Sequence, residues 1–226
     1  KNSNMRCIGS HKADDKSVTR LKPHDQYKSD RMSDYYVQQP GLDLITLPAK
    51  YDWPVTAKKK PAKSRAKEQM ITVSTSDWYV TKEKRNEKRS VAQCIEAAKT
   101  GTKHWQEYFN DPERLVKLYF DVDLTMKPDK WTEWTDQMDS VELKRKFDEY
   151  HAEFPHKIRN WLCKDSDLKL SREDIAISDS SGMKDGYHHL SFHAVIQGYC
   201  CKFGDIKAVL LDHGLWDANA LTLPEG

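Results

Sequence analysis

The sequence predicts a mixed α/β fold in which helices cover a mixed sheet. From residue 71 onward, short runs of β-branched and aromatic residues alternate with segments whose apolar residues recur every three or four positions. The first pattern predicts strands and the second predicts amphipathic helices. Their alternation along one chain favours a sheet with helices packed on its faces. The chain has 226 residues, enough for one substantial domain with an extension.

Each element is predicted from its own pattern. Strands are expected over residues 71–80, 115–124, 174–178 and 189–197. Helices are expected over residues 90–99, 141–163 and 205–212, with a kink at Pro155. The polar stretch 180–186 is expected to form the turn between the last two strands.

Residues 1–70 differ in composition from the rest of the chain. They hold 15 Lys and Arg against 8 Asp and Glu, whereas residues 71–226 hold 22 against 27. The stretch 56–67 is basic, rich in small residues and interrupted by Pro61, which is typical of a linker. We therefore expect residues 1–70 to form a basic, largely flexible extension and residues 71–226 to form the folded domain. The alternative is that the apolar patches 34–37 and 42–47 dock on that domain or on a partner.

Composition also argues against several classes of protein. The longest apolar runs are far shorter than the roughly 20 residues of a membrane span, and the N-terminus lacks the apolar core of a signal peptide. We therefore expect an intracellular protein without a membrane partner. The five cysteines form no CxxC pair, and their odd number argues against a disulfide framework, so reduced thiols are expected. A structural zinc site built from distant residues is the alternative.

Two aspartates end the most apolar predicted strand. Asp121 and Asp123 follow the run Lys-Leu-Tyr-Phe, and alternate residues of a strand point to the same face. Two close carboxylates repel each other unless a cation lies between them, and oxygen ligands suit Mg²⁺ or Mn²⁺. The pair therefore predicts a divalent-metal site. The alternative is solubilising charge at the end of a strand.

A second polar row lies on the predicted strand 189–197. Strand alternation places His189, Ser191 and His193 on one face and apolar residues on the other. Two imidazoles and a hydroxyl can donate hydrogen bonds to a chain of phosphates. The alternative is that the row is the solvent-facing side of a half-buried strand.

The order of these motifs resembles that of the archaeo-eukaryotic primase superfamily. The strand Leu-Tyr-Phe-Asp-Val-Asp ending at Asp123 is similar to the D-x-D motif of that family, and Ser191-Phe192-His193 is similar to its S-x-H motif. The acidic-to-serine stretch 178–181 lies between them, as in the family pattern. Residues 103–109 are similar to an aromatic and acidic stretch of eukaryotic primase-polymerases and of primases of large DNA viruses. The resemblance covers roughly residues 71–213.

The resemblance implies a DNA primase or primase-polymerase that acts in DNA replication or damage tolerance. Such a nucleotidyltransferase has a sheet like that of an RNA-recognition motif in its catalytic core, here residues 71–226. Asp121 and Asp123 would be its catalytic residues and ligate Mg²⁺ or Mn²⁺. Ser191 and His193 would bind the phosphates of the incoming nucleotide, with help from His189. The implied partners are a DNA template, nucleoside triphosphates and a helicase domain or subunit.

The third motif of that family has no clear match in this chain. It is an aspartate on a later strand, usually followed by basic residues. Asp217 follows His193 by 24 residues, but its surroundings predict a turn. We therefore expect the third motif to lie beyond residue 226 of a longer protein.

Two other classes of function remain open at this point. A metal-dependent nuclease also uses paired carboxylates and a histidine, although no E-x-K pairing follows the D-x-D motif here. A non-catalytic module that binds single-stranded DNA would use aromatic side chains to stack on bases. Candidates for such stacking are Trp78, Tyr79, Trp105, Tyr108, Trp131 and Trp134. A nucleotide-incorporation assay with Mn²⁺ separates polymerisation, degradation and binding alone.

Overall fold

The structure is a computed structural model that describes residues 4–6, 21–38, 44–47, 70–76, 84–100, 105–108, 111–126, 140–164 and 168–212. The strands in these ranges are β1 (Asn4–Arg6), β2 (Lys22–Pro23), β3 (Ile45–Thr46), β4 (Met70–Ser76), β5 (Lys84–Ser90), β6 (Trp105–Tyr108), β7 (Leu115–Met126), β8 (Ile175–Asp179), β9 (Gly182–Lys184) and β10 (Tyr187–Lys202). The helices are α1 (Val91–Thr100), α2 (Ser140–Lys164) and α3 (Ile206–Asp212), with 3-10 helices at Met32–Tyr35 and Phe203–Asp205. No helix in the described part of the chain is long and apolar enough to cross a membrane.

The predicted mixed α/β class is confirmed at this level of detail. The predicted strands and helices each have a counterpart, although residues 77–80 of the first strand lie outside the described residues. The sequence pattern predicts none of β1, β2, β3, β5, β6 and β9. Strand β5 is rich in Lys and Arg, which do not favour strands, but it pairs with β4 along its whole length. Pairing with a neighbour has therefore outweighed local propensity.

Strand β10 is the central strand of a six-stranded sheet. It pairs with β7 along one edge and with β9, β8 and β3 in succession along the other. Its register with β7 shifts between Val195 and Cys200, where Gly198 has a φ of 81°, a conformation that suits glycine. Asp185 and Gly186 also have positive φ angles and form the two-residue turn between β9 and β10.

One face of the six-stranded sheet packs against α2. Phe192 of β10 is fully buried, and its ring stacks on Phe154 of α2 with the ring centroids 5.9 Å apart. Phe120 and Val122 of β7 belong to the same cluster of buried side chains. Burying one such side chain contributes about 1.5–3 kcal/mol. This face therefore fixes which way every residue of β7 and β10 points.

Part of the predicted N-terminal extension belongs to the core. Tyr36 and Val37 are both 0% exposed, and Tyr36 lies in a cluster with Ile71 of β4 and Cys94 of α1. The segment is bound through single large side chains and backbone hydrogen bonds, so it shows no strand or helix period in the sequence. The second sheet, with the order β1-β6-β4-β5, is thereby joined to the six-stranded sheet.

Several side chains of residues 21–38 and 44–47, which the sequence assigned to a flexible extension, are buried in the structure. Residues 35–37 of the first apolar patch are buried, as the docking alternative expects. Leu47 of the second patch is also buried, while Ile45 is exposed. The basic stretch 56–67 lies outside the described residues, and the domain boundary at residue 70 stays a prediction.

Glu107 of β6, in the second sheet, binds the backbone of the N-terminal segment. Its side chain is buried, and its two carboxylate oxygens accept hydrogen bonds from Val37 N and Gln38 N, each at 2.9 Å. Burial raises the pKa of Glu107 to about 7, against the effect of these two hydrogen bonds and of the charge on Lys117. The carboxyl group therefore changes its charge close to neutral pH.

Lys117 of β7, in the six-stranded sheet, binds the same segment directly and through Gln197. Its Nζ donates to Gln197 Oε1 at 2.7 Å, and Gln197 Nε2 donates to Asp34 O at 2.9 Å. Lys117 N also donates to Val37 O at 3.0 Å. Burial lowers the pKa of Lys117 to about 8, opposed by Asp34 and Glu107. We call Asp34, Val37, Glu107, Lys117 and Gln197 the polar junction.

Replacing a core residue of the N-terminal segment should destabilise the whole fold. Tyr36→Ala removes a fully buried aromatic ring, which typically costs about 3–5 kcal/mol. We expect the melting temperature to fall by about 10 °C in differential scanning calorimetry. Ile45→Ala is the matched control, because Ile45 is 60% exposed and should change the melting temperature little. A Tyr36→Ala protein as stable as the parent would show that the segment is not structural.

The polar junction should make stability depend on pH through Glu107. The folded carboxyl group keeps its proton up to about pH 7, whereas the unfolded group loses it near pH 4.5. The higher pKa of Glu107 in the folded protein stabilises the fold. This stabilisation is fully present below pH 4.5 and is lost as the pH rises through about 7. Compared with Glu107→Gln, which does not titrate, the parent should lose several degrees of melting temperature between pH 4.5 and pH 7.5. A difference between the two proteins that stays constant with pH would contradict this assignment.

Candidate active site

Polar residues form three rows across one face of the six-stranded sheet. The rows arise because β10 pairs antiparallel with β7 on one side and with β8 and β9 on the other. The first row is Ser178, His193 and Asp121; the second is Ser180, Ser191 and Asp123; the third is Gly182, His189 and Thr125. We call these nine positions the polar face. It lies opposite the face that packs against α2.

Asp121 and His193 are in direct contact in the first row. Their backbones are paired, and His193 Nε2 lies 3.2 Å from Asp121 Oδ1. The side chain of Asp121 is 54% exposed, whereas that of His193 is 6% exposed. The expectation that the two motifs share one face is confirmed for this pair. His193 Nδ1 is buried and has no hydrogen-bond partner among the described residues.

Ser191 is at the centre of the polar face. Its side chain is buried, and its backbone is paired with that of Asp123 on β7. On the other side, Ser191 Oγ accepts a hydrogen bond of 2.9 Å from Ser180 Oγ. The backbone therefore places Asp123 beside Ser191, in the position that the sequence pattern predicts. The side chain of Asp123 lies outside the described residues.

His189 is part of the same face, as predicted. Its side chain is 5% exposed, and its Nδ1 lies 3.0 Å from the hydroxyl oxygen of Thr125 on β7. This contact orients the imidazole ring within the third row. Asp217, the weak match for a third motif, lies outside the described residues. The described residues include no group of three or more His, Cys, Asp and Glu side chains that could hold a metal ion.

A hydrogen-bonded pair, Asp179 and His151, lies behind the polar face. Asp179 of β8 is paired with Phe192 and therefore faces α2, where its Oδ2 lies 2.9 Å from His151 Nε2. Its Oδ1 accepts a hydrogen bond of 2.7 Å from Ser181 N. Burial alone would raise the pKa of Asp179, but hydrogen bonds from His151 and Ser181 outweigh burial and lower it.

Sequence reasoning did not assign roles to Ser180, Ser181, Asp179 or His151. In the sequence, the stretch 178–181 is recognisable only by its place between the D-x-D and S-x-H motifs. Strand alternation separates Ser178 and Ser180 from Asp179, so a signal for two opposite faces was present. Which serine meets Ser191 depends on the register of β8 and β9 with β10, and one sequence does not contain that information.

The cysteines in the described part of the chain fit the prediction of reduced thiols. Cys94, Cys200 and Cys201 are free and buried. Burial raises the pKa of Cys94 and of Cys201 to about 12, so neither is a reactive thiolate at neutral pH.

Comparisons with known proteins identify no relative of this chain. No protein-family model, curated protein or solved structure matches it significantly. Any functional assignment therefore depends on the residues and geometry described above.

Removing the carboxylate of Asp179 should destabilise the protein. Asp179→Ala leaves His151 Nε2 and Ser181 N without their acceptor, which should cost about 2–4 kcal/mol. We expect the melting temperature at pH 7 to fall by about 5–10 °C. The deficit should shrink below pH 3.8, because a carboxyl group with a lowered pKa loses its contribution as it becomes protonated. Asp148→Ala, which removes an exposed pair with Lys144, is the matched control and should have little effect.

Proposed function

We propose that this chain is the catalytic part of a primase or primase-polymerase of the archaeo-eukaryotic type. It would join nucleoside triphosphates into a strand on a DNA template, with Mg²⁺ or Mn²⁺ as the cofactor. One observation carries the proposal: the register of β7 with β10 aligns the D-x-D motif with the S-x-H motif, residue against residue. Asp121 is opposite His193, and Asp123 is opposite Ser191.

The residues of the polar face fit a divalent cation that prefers oxygen ligands. Asp121 has an exposed carboxylate, and the backbone of Asp123, two positions further along the same strand, is paired with that of Ser191. Carboxylate oxygens on one side suit Mg²⁺ or Mn²⁺. Such ions, when bound, activate a 3′-hydroxyl and neutralise the charge of the leaving phosphates.

The row on β10 fits the phosphates of an incoming nucleotide. Ser191 has a hydroxyl donor, and His193 has one ring nitrogen 3.2 Å from Asp121 and a second without a partner in the described residues. A protonated imidazole donates charge-assisted hydrogen bonds to phosphate oxygens. Contacts with Ser180 and Asp121 already orient the two side chains, so they need little reorientation when a ligand binds.

Two observations favour this proposal over the alternatives. A nuclease would need a lysine or glutamate beside the carboxylates, but the cross-strand neighbours of Asp121 and Asp123 on β10 are His193 and Ser191. A module that only binds single-stranded DNA would use exposed aromatic rings, whereas the described side chains of the polar face carry hydroxyl, imidazole and carboxylate groups.

The test is primer extension by the full-length protein. Asp121→Ala should lower the rate of nucleotide incorporation by at least about a hundredfold, because the metal site loses a ligand. The metal-free protein should keep its melting temperature within about 2 °C, since Asp121 is largely exposed. Stabilisation by added Mn²⁺ should disappear in this variant.

His193→Ala should have a different kinetic effect. The nucleotide loses a phosphate contact, so its KM should rise about tenfold while stabilisation by Mn²⁺ is largely retained. His188→Ala is the matched control and should leave the KM unchanged. His188 is on the opposite face of the sheet, where its ring stacks on that of Phe147 of α2 with the ring centroids 4.7 Å apart. Incorporation by Asp121→Ala at the parental rate would refute the proposal. Primer shortening by the parent would indicate a nuclease, and template binding without incorporation would indicate a binding module.

A further inference from the structure

Two consecutive serines hold Ser191 by three hydrogen bonds. Ser180 N donates to Ser191 O at 2.9 Å, and Ser180 Oγ donates to Ser191 Oγ at 2.9 Å. Ser191 N donates to Ser181 Oγ at 3.0 Å. Ser191 thus has both its backbone and its hydroxyl fixed by the segment between β8 and β9. We call Ser180 and Ser181 the serine clamp.

The clamp determines where the Ser191 hydroxyl can donate. A serine hydroxyl has one proton and two lone pairs, and it normally rotates among three staggered positions. In this structure one lone pair accepts the hydrogen bond from Ser180, so the proton of Ser191 must point to a different acceptor. A hydroxyl that already accepts a hydrogen bond is also a better donor, because hydrogen bonds in a chain polarise one another.

The clamp is anchored to the opposite face of the sheet. Ser181 N donates to Asp179 Oδ1 at 2.7 Å, and Asp179 Oδ2 lies 2.9 Å from His151 of α2. The side chain of Asp179 is 6% exposed and that of His151 is 31% exposed, so water reaches only the His151 end of this connection. A chain of hydrogen bonds therefore runs from α2 through Asp179 and the clamp to Ser191. Such support keeps a binding group in one orientation before the ligand arrives.

We infer that Ser180 is a positioning residue of the nucleotide site, whose hydroxyl directs that of Ser191 toward a phosphate oxygen. The inference rests on the proposed function and extends it to a residue outside both motifs. The ligand class is a polyphosphate, because Ser191 is in the row with His193 and beside the carboxylate strand. Ser180 acts through Ser191 and is not itself a catalytic residue.

The experiment measures polyphosphate affinity separately from polymerisation. Inorganic tripolyphosphate with Mg²⁺ is titrated into the full-length protein by isothermal calorimetry. Ser180→Ala should weaken its binding about two- to tenfold, the range expected for loss of one neutral hydrogen bond. Ser180→Thr keeps the hydroxyl and should bind within twofold of the parent. Ser171→Ala removes a hydroxyl that donates to Asp174 at an exposed turn and should also bind within twofold.

Primer-extension kinetics distinguish positioning from a structural role. Ser180→Ala should raise the KM for the nucleotide by the same factor as the tripolyphosphate affinity falls, with kcat within twofold of the parent. A structural role alone would lower the melting temperature and leave KM unchanged.

Three results would overturn the inference. They are parental tripolyphosphate affinity in Ser180→Ala, equal weakening in Ser180→Thr and Ser180→Ala, and no tripolyphosphate binding by the parent. A parent protein that binds tripolyphosphate through Ser180 but incorporates no nucleotide would refute the polymerase proposal alone. The failure of one conclusion is thereby distinguishable from the failure of the other.

Discussion

The pairing of β7 with β10 determines the geometry of the candidate site. Both strands alternate between apolar residues that pack against α2 and polar residues that form the polar face. A slip of one residue would turn Phe120 and Val122 toward the polar face and expose them, so burial of the apolar set locks the register. The same locking places Asp121 beside His193. The geometry of the candidate site is therefore a consequence of core packing on the opposite side of the sheet.

The N-terminal segment completes the fold at a cost in electrostatic energy. Glu107 and Lys117 are buried with shifted pKa values, which shows that each charge is less favourable there than in water. In return, the backbone groups of Val37 and Gln38 gain acceptors in a region without access to water. The polar junction thus binds an irregular segment to both sheets, where apolar packing alone would leave its amide groups unsatisfied.

The sequence predicted what depends on local pattern. Period-two alternation identified β7 and β10 and assigned the same face to His189, Ser191 and His193, because a strand has no other way to orient its side chains. The charged strand β5 had no such signal, since its stability comes from its partner β4. The role of Glu107 was equally hidden, because its hydrogen-bond partners are 69 and 70 positions away in the chain. Strand pairing and long-range contacts require the folded structure.

Polar and apolar contacts connect the polar face to α2 on the other side of the sheet. Asp179 pairs with His151 on α2 and also accepts a hydrogen bond from Ser181, which in turn accepts one from the backbone of Ser191. Since Phe154 of α2 stacks on Phe192, the neighbour of Ser191, α2 supports the site through an apolar contact and through a polar chain. Movement of α2 relative to the sheet would therefore disturb Ser191 by two routes. This double support keeps the Ser191 hydroxyl in one orientation beside a strand that is open to solvent at Asp121.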